Sequence, residues 1–132
     1  MPKENKSLTK AEEELMRHLW SLEKAFLKDL VEAYPEPRPA YTTVATVVRV
    51  LVKKGFIKYT SHGKVHEYSP AVSKQAYFKK HLGGLVGTFF EGSMTRFASF
   101  FARQDDLNVS QLEEIKALIE AEIAERKGEE HG

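Results

Sequence analysis

Residues Pro39–Gly55 have the sequence PAYTTVATVVRVLVKKG, in which only a helical period sorts the side chains into an apolar and a polar face. At about 100° per residue, a helix places an apolar set on one side and a polar set on the other. The apolar set is Val44, Val47, Val48 and Leu51, and the polar set is Thr42, Thr46, Arg49 and Lys53. A strand would mix the two sets, so the period outweighs the β-branched composition. We predict a helix from Tyr41 that ends at Gly55, a residue type favoured just beyond helix C-termini.

Two helices are predicted before this one. Thr9 and Glu12 have the spacing of a capping box, and apolar residues recur at helical spacing after them, which predicts a helix from about Lys10 to Leu22. The run Glu12–Glu14 is expected to face solvent at the positive end of that helix. A second helix over residues 26–34 should end at three spaced prolines, because proline removes a backbone donor and disfavours helical conformation in the preceding residue.

The segment after Gly55, FIKYTSHGKVHEYSP, predicts a β-hairpin. Ile57 and Tyr59 precede a turn over Ser61–Lys64, and Pro70 ends the second strand. Three helices followed by a two-stranded ribbon is the element order of a winged helix, whose third helix normally contacts DNA bases. The predicted fold class is therefore mainly α, an α+β winged helix-turn-helix domain followed by a helical region.

The distribution of charge in this part of the chain favours an anionic partner. The formal net charge of the 132 residues is +1, which by itself indicates no partner. No acidic residue lies between Glu36 and Glu67, whereas that interval carries Arg38, Arg49, Lys53, Lys54, Lys58 and Lys64. Such a basic field attracts a polyanion, although a solvated loop face could carry the same charges. Hydroxyls and cations are also the groups that reach base edges and phosphates in the major groove of DNA.

From Ser73 onward the sequence predicts helices with large apolar stripes. The residues that we expect at an interface are Phe78, Leu82, Leu85, Phe89, Phe97, Leu112, Ile115 and Ile119, the last three in a final helix that Ser110 could cap. Burying a Phe or Leu is worth about 1.5 to 3 kcal/mol, so exposure of these stripes to water would be costly. We expect pairing with a second copy to cover these stripes, and packing of this region onto the N-terminal module is the alternative. The predicted domains are residues 1–70, which bind DNA, and residues 71–132, which dimerise.

Several classes of function lack support in the sequence. Cysteine is absent, which excludes disulfides, thiolate metal sites and cysteine nucleophiles. No catalytic arrangement or phosphate-binding glycine loop stands out, so neither an enzyme nor a cofactor is expected. His62 and His66 flank a turn with no third ligand beyond Glu67, so no metal site is expected. No apolar run approaches the roughly 18 residues needed to cross a bilayer, and we expect a cytoplasmic protein without membrane insertion.

Four motifs together span nearly the whole chain. They are LTKAEEELMRHLW, TTVATVVRVLVKKGFIKY, HEYSP and MTRFASFFARQDDLNVSQLEEI. In the first helix the pattern is formed by Ala11, Glu12, Met16, Leu19 and Trp20. In these motifs the chain resembles the penicillinase repressor (BlaI/MecI/CopY) family of bacterial transcriptional regulators. The resemblance implies a homodimer of winged-helix domains that binds inverted-repeat operator DNA through its third helix and wing and represses transcription.

The resemblance also implies particular DNA contacts. It places Thr42, Thr43, Thr46 and Arg49 at bases or phosphates and the wing at Thr60–Lys64. With the basic residues around them, the expected DNA-binding set is Thr42, Thr43, Thr46, Arg49, Lys53, Lys54 and Lys64. Ala45 stands where the family often has a basic residue, and alanine can contact a thymine methyl group but cannot donate to guanine. The operator sequence therefore does not follow from the resemblance.

The sequence does not decide how repression would be relieved. The β-lactam branch of the family is inactivated by proteolysis at an Asn-Phe bond, which corresponds here to the Phe100–Phe101 bond, without the asparagine. Cleavage of that bond by a membrane sensor protease is a hypothesis. The copper-responsive branch uses C-terminal cysteine pairs, which this chain lacks.

Two other classes of function stay open. One is a protein-interaction adaptor that uses a winged helix and a helical dimer without binding DNA. The other is a regulator gated by a small molecule, for which the sequence identifies no inducer pocket.

Overall fold

The computed structural model describes residues 7–131, and the chain divides into two compact units between Leu82 and Gly83. The helices are α1 (Lys10–Leu22), α2 (Leu27–Ala33), α3 (Tyr41–Lys54), α4 (Lys74–Phe89), α5 (Met94–Ala102) and α6 (Val109–His131). The strands are β1 (Ala25–Phe26), β2 (Ile57–His62) and β3 (Val65–Pro70). Three helices followed by a hairpin confirm the predicted winged helix. Within residues 7–131, no helix is both long and apolar enough to cross a bilayer.

The N-terminus of α1 is closed by the predicted capping box. The backbone N–H of Glu12 donates to Thr9 Oγ1 at 3.2 Å, and the backbone N–H of Thr9 donates to Glu12 Oε1 at 2.9 Å. The expectation that residues 12–14 all face solvent is wrong for Glu12, which is buried. The cap turns its side chain back along the helix, where its carboxylate also meets Lys54 of α3.

Helix α3 has the predicted bounds, and its predicted apolar face is the buried one. Val44, Val48 and Leu51 are buried in the core, and Val47 is half-buried. Gly55 ends the helix with a φ of 91°, and its N–H bonds to the carbonyls of the last turn. This left-handed conformation suits glycine because it has no Cβ to collide with the backbone.

The core of the first unit joins α1, α2, α3 and the start of β2. Its largest fully buried side chains are Leu15, Met16, Leu19, Leu30, Val44, Val48, Leu51 and Phe56. Tyr77 of α4 packs against Trp20 and Phe56, with ring centroids 6.0 and 5.9 Å apart. Trp20 Nε1 donates to the carbonyl of Val72 at 2.8 Å, so a half-buried polar group is satisfied where α1 meets the segment before α4.

The sheet has three antiparallel strands in the order β1-β3-β2, one more than the sequence predicts. Ala25 pairs with Tyr68 and Phe26 with Glu67, so the expected helical start at Phe26 is wrong. The backbone N–H of Phe26 donates to Asp29 Oδ2 at 2.9 Å, and α2 begins one residue later. Two residues are too few to show a strand period, and the free edge of β3 recruits them.

The second unit contains α5, α6 and the C-terminal part of α4. Val86 is buried, and Phe90 contacts the rings of Phe97 and Phe100 at centroid distances of 5.6 and 5.5 Å. The expectation that Ser110 caps the last helix is wrong, since Asn108 does so. Its Oδ1 accepts from the backbone N–H of Gln111 at 2.8 Å, and its own N–H donates to Gln111 Oε1 at 3.0 Å.

Candidate nucleic-acid interface

The solvent-facing side of α3 carries the predicted polar residues together. Thr42, Thr43, Thr46, Arg49 and Lys53 are all exposed. Thr46 Oγ1 donates to the carbonyl of Thr42 at 3.0 Å, and Arg49 Nη2 donates to Thr46 Oγ1 at 3.3 Å. This contact uses one of the five N–H donors of the guanidinium and holds the group over the exposed face. The arrangement presents hydroxyls and a fork of donors along one side of a helix, as direct base contacts require.

Two other exposed side chains of α3 do not follow from the sequence period. Tyr41 is 55% exposed at the start of α3, and Val50 is 38% exposed in its second half. Val50 fits neither the apolar nor the polar set of the helix, and this misfit is the signal that could have identified it. Exposed apolar groups on a recognition helix can contact thymine methyl groups, as Ala45 could beside them.

The hairpin forms a longer ribbon and a tighter turn than the sequence predicts. Strands β2 and β3 extend to His62 and from Val65, which leaves Gly63 and Lys64 as the turn. Gly63 has a φ of 64°, the left-handed conformation that two-residue hairpin turns need. Lys64 is exposed at this tip, where a wing would meet a phosphate. His62 Nε2 lies 3.0 Å from Glu67 Oε1, so the imidazole already has a partner within the ribbon.

One face of the ribbon carries an aromatic set that the sequence analysis did not identify. Tyr59 and His66 stack with ring centroids 4.2 Å apart and an interplanar angle of 6°. Tyr68 lies edge-on to both rings. In the strand register Tyr59 is opposite Tyr68 and Ser61 is opposite His66, so these side chains share one face. Alternation of side chains along each strand could have placed them on this face, but it reveals neither the register between the strands nor the stacking of the rings.

Lys53 and Lys54 are adjacent in sequence and differ in surroundings. Lys53 is exposed, whereas Lys54 Nζ lies 2.7 Å from Glu12 Oε1 and its side chain is 23% exposed. Burial raises the pKa of Glu12, but the hydrogen bonds from Lys54 and the Thr9 backbone outweigh it, so the pKa lies below its usual 4.5. The ammonium of Lys54 therefore joins α3 to α1, which separates it from the other predicted DNA contacts.

The basic side chains of the acid-free interval other than Lys54 are all exposed, and they differ in whether they form an ion pair. Arg49, Lys53, Lys58 and Lys64 are exposed. Arg38 instead pairs with Glu36 at 2.9 Å and donates to the carbonyls of Glu32 and Tyr34, which stabilises the proline-rich connection between α2 and α3. Four exposed cations therefore lie on α3 and the hairpin, the two elements that a winged helix applies to DNA. In the part of the chain that the structure describes, no group of three potential metal ligands occurs.

Half of the predicted interface residues are exposed in the single chain. Four of them, Phe78, Leu85, Phe89 and Ile119, are 41–71% exposed, and the other four, Leu82, Phe97, Leu112 and Ile115, are half-buried. Three more apolar side chains, Met94, Leu118 and Ile123, are 46–69% exposed. Large exposed apolar side chains in such number favour an interaction with a partner.

The chain is similar to known transcriptional regulators. A family model described as "Penicillinase repressor" matches residues 8–121. A Mammaliicoccus sciuri protein, "Methicillin resistance regulatory protein MecI", is 23% identical over 113 residues, which are 85% of this chain and 92% of that protein. A Bacillus licheniformis protein, "Penicillinase repressor", is 22% identical over 114 residues, which are 86% and 89% of the two chains. The match to a solved structure of Bordetella bronchiseptica BpsR covers 91% of this chain and 78% of the BpsR chain, with 18% sequence identity and a TM-score of 0.45.

Proposed function

The chain belongs to the penicillinase repressor family, and we propose that it is a homodimeric repressor that binds inverted-repeat operator DNA through α3 and the β2–β3 hairpin. The observation that carries the proposal is the exposed face of α3, on which threonine hydroxyls and the Arg49 guanidinium lie together. These polar side chains would be costly to bury in a core without hydrogen-bond partners, so the face suits a polar partner such as DNA. The proposed action is binding alone, with no catalysed reaction.

The proposed contacts divide into base recognition and phosphate binding. Thr42, Thr43, Thr46 and Arg49 face base edges, with Val50 and Tyr41 beside them. Lys53, Lys58 and Lys64 bind phosphates, since each is exposed and a phosphate contact needs charge without directional precision. We assign Lys54 to the fold, because its ammonium is paired with Glu12 in a half-buried position.

The proposed dimer gives the operator its symmetry. Residues 71–132 would join two copies through the exposed apolar side chains of α4, α5 and α6. A two-fold dimer presents two recognition helices to two half-sites, so an inverted repeat is the operator form that such a protein fits. A DNA target would place this action in the cytoplasm of a bacterium, the kind of organism in which the named relatives occur.

The salt dependence of binding tests the proposal. Fluorescence anisotropy of a labelled random duplex should report binding that weakens steeply as salt rises, because each neutralised phosphate releases condensed counterions. Three lysines from each of two subunits predict a slope of about −5 in log affinity against log salt. Absence of binding to duplex DNA at low salt would contradict the repressor and favour the adaptor, which uses the same fold without DNA.

We further propose that cleavage at the Phe100–Phe101 bond relieves repression. Both residues lie in the last turns of α5, and their side chains are 54% and 39% exposed. Helix ends open most readily, and a protease needs the extended backbone that opening provides. The test is incubation with a cognate membrane sensor protease and mass mapping of fragments. A missing nick near Phe101 would reject this relief mechanism and leave the proposal of DNA binding untouched.

A further inference from the structure

A groove of about 710 Å³ lies between α3 and the hairpin, within the first unit. The residues that matter for its chemistry are Val48, Val52, Arg49, Lys53, Tyr59 and Tyr68. Its volume lies in the range of small-molecule sites, about 300 to 1,000 Å³. No motif in the sequence indicates this groove, because its two walls come from separate elements that meet only in the fold.

The groove combines an apolar base, an aromatic wall and a cationic rim. Val48 and Val52 are buried and half-buried along α3, and Tyr59 stacked on His66 forms a flat wall on the hairpin. Arg49 and Lys53 are exposed at the edge. None of the described residues that line the groove is acidic. Apolar lining with a few charged groups at one side is the usual composition of a site for a small ligand.

Tyr68 supplies a polar group deeper in this groove. Its side chain is half-buried, and burial, followed by the nearby phenols of Tyr41 and Tyr59, raises its pKa above the usual 10.0. The hydroxyl therefore stays protonated at neutral pH and can donate a hydrogen bond to an anionic or carbonyl oxygen.

We propose that this groove binds a small planar aromatic carboxylate. The ring would lie against the Tyr59–His66 stack and Tyr68, where an offset or edge-on aromatic contact adds to the burial of apolar area. The carboxylate would meet the guanidinium of Arg49, whose planar fork of donors suits a planar anion, and the ammonium of Lys53, which adds a point charge. A neutral aromatic compound would leave these two cations without a counter-charge, and a purely aliphatic anion would not use the flat wall.

Such a ligand would compete with DNA. Arg49 and Lys53 belong to the face proposed to bind the operator, so a carboxylate that engages them removes two cations from the DNA contact. This consequence rests on the proposed function, whereas binding of the carboxylate does not. The site would then be the inducer pocket of a regulator gated by a small molecule.

The first experiment measures binding of two matched probes to the full chain by two-dimensional ¹H–¹⁵N NMR at constant ionic strength. The probes are 2-naphthoate and 2-naphthalenemethanol, which share the rings and differ in the charged group. We expect naphthoate to bind about tenfold more tightly, as one charge-assisted hydrogen bond predicts. The shifted signals should include Ala45, Val52 and His66, which line the groove. Equal binding of the two probes, or shifts confined to the exposed apolar residues of α5 and α6, would overturn the proposal.

Two charge variants locate the site further. Lys53→Gln should weaken naphthoate binding about fivefold and leave the neutral probe unchanged. Lys64→Gln is the matched control, because it removes an exposed cation of the hairpin tip that does not line this groove. Tyr59→Ala should weaken both probes, since it removes the flat wall. An equal effect of Lys53→Gln and Lys64→Gln would show a general charge effect and reject the site.

The second experiment adds naphthoate to a complex of the chain with duplex DNA. Release of DNA from the parent protein, reduced in Tyr59→Ala, supports an inducer pocket. Naphthoate binding in the groove without release of bound DNA would retain the site and overturn its role as an inducer pocket. A chain that binds no DNA but binds naphthoate in the groove would reject the proposed function and retain the ligand site.

Discussion

Arg49 and Lys64 should contribute to DNA binding in different ways. Arg49→Ala should cost about 1 to 3 kcal/mol on the operator and much less on random DNA, because a guanidinium that grips a guanine discriminates between bases. Lys64→Ala should weaken operator and random DNA alike, because a phosphate contact carries no sequence information. Anisotropy titrations on both duplexes measure the two effects. Equal losses on the two duplexes for Arg49→Ala would remove Arg49 from base recognition.

The ion pair between Glu12 and Lys54 should stabilise the first unit. Glu12→Gln keeps a side chain that can complete the capping box but loses the charge that faces Lys54. We expect the free energy of unfolding at neutral pH to fall by about 1 to 3 kcal/mol, measured by urea denaturation. Glu13→Gln is the matched control, because Glu13 is exposed on the same turn. A loss as large for Glu13→Gln would contradict a specific pair.

The lowered pKa of Glu12 adds a pH dependence to that prediction. Its ionised form is favoured in the fold, so its contribution to stability is complete above the usual pKa of 4.5 and disappears as pH falls through the lower folded pKa. The difference in stability between the parent chain and Glu12→Gln should therefore shrink in acid. A difference that stays constant below pH 4.5 would show that the charge of Glu12 does not matter.

The residues of the candidate site differ in how far the sequence predicts them. The helical period places Thr42, Thr46 and Arg49 on one exposed side, because a period depends on local geometry alone. The same reasoning cannot separate Lys53 from Lys54, since their difference arises from a carboxylate 42 residues away in α1. The stack of Tyr59 on His66 depends likewise on strand register, which no single strand specifies.

At the element scale, Gly55 should be essential to the end of α3. Gly55→Ala places a Cβ at a φ of 91°, which should cost about 1 to 2 kcal/mol of stability in urea denaturation. Gly55→Asn should cost less, because asparagine tolerates left-handed conformation better than alanine. If the alanine variant were as stable as the parent chain, the left-handed cap would not hold in solution.

The elements show where local sequence signals suffice. α1 and α3 have their predicted bounds because each segment carries local signals: a capping box at the start of α1, a terminal glycine at the end of α3, and a long apolar period in both. β1 was not predicted, since two residues become a strand only when the edge of β3 is beside them. The cap of α6 is two residues earlier than expected, because both Asn108 and Ser110 are suitable cap residues and the sequence does not rank them.

At the scale of the whole molecule, the exposed apolar surface should be an interface between two copies. Leu118→Asp with Ile119→Asp should convert a dimer into a monomer, because a charge in an apolar interface loses its hydration without a partner. Sedimentation equilibrium measures the mass, and Lys116→Ala is a control at an exposed polar position of the same helix. A monomeric parent chain at micromolar concentration would contradict the interface.

The double variant should also weaken operator binding while the first unit stays folded. A dimer that has bound one half-site holds its second subunit near the other half-site, which raises the overall affinity. Separate monomers lose this gain. Unchanged amide NMR signals of α1, α2 and α3 would confirm that the first unit persists. Unchanged operator affinity in a monomeric variant would show that one winged helix suffices for binding.

Paired α3 helices should recognise a symmetric DNA sequence, and selection from a random duplex library measures this. The full chain is incubated with the library at moderate salt, and the bound fragments are amplified and sequenced over several rounds. We predict an enriched inverted repeat whose half-site centres lie about one helical turn apart or a multiple of it. A flat distribution of sequences, despite retention of DNA at low salt, would contradict such recognition.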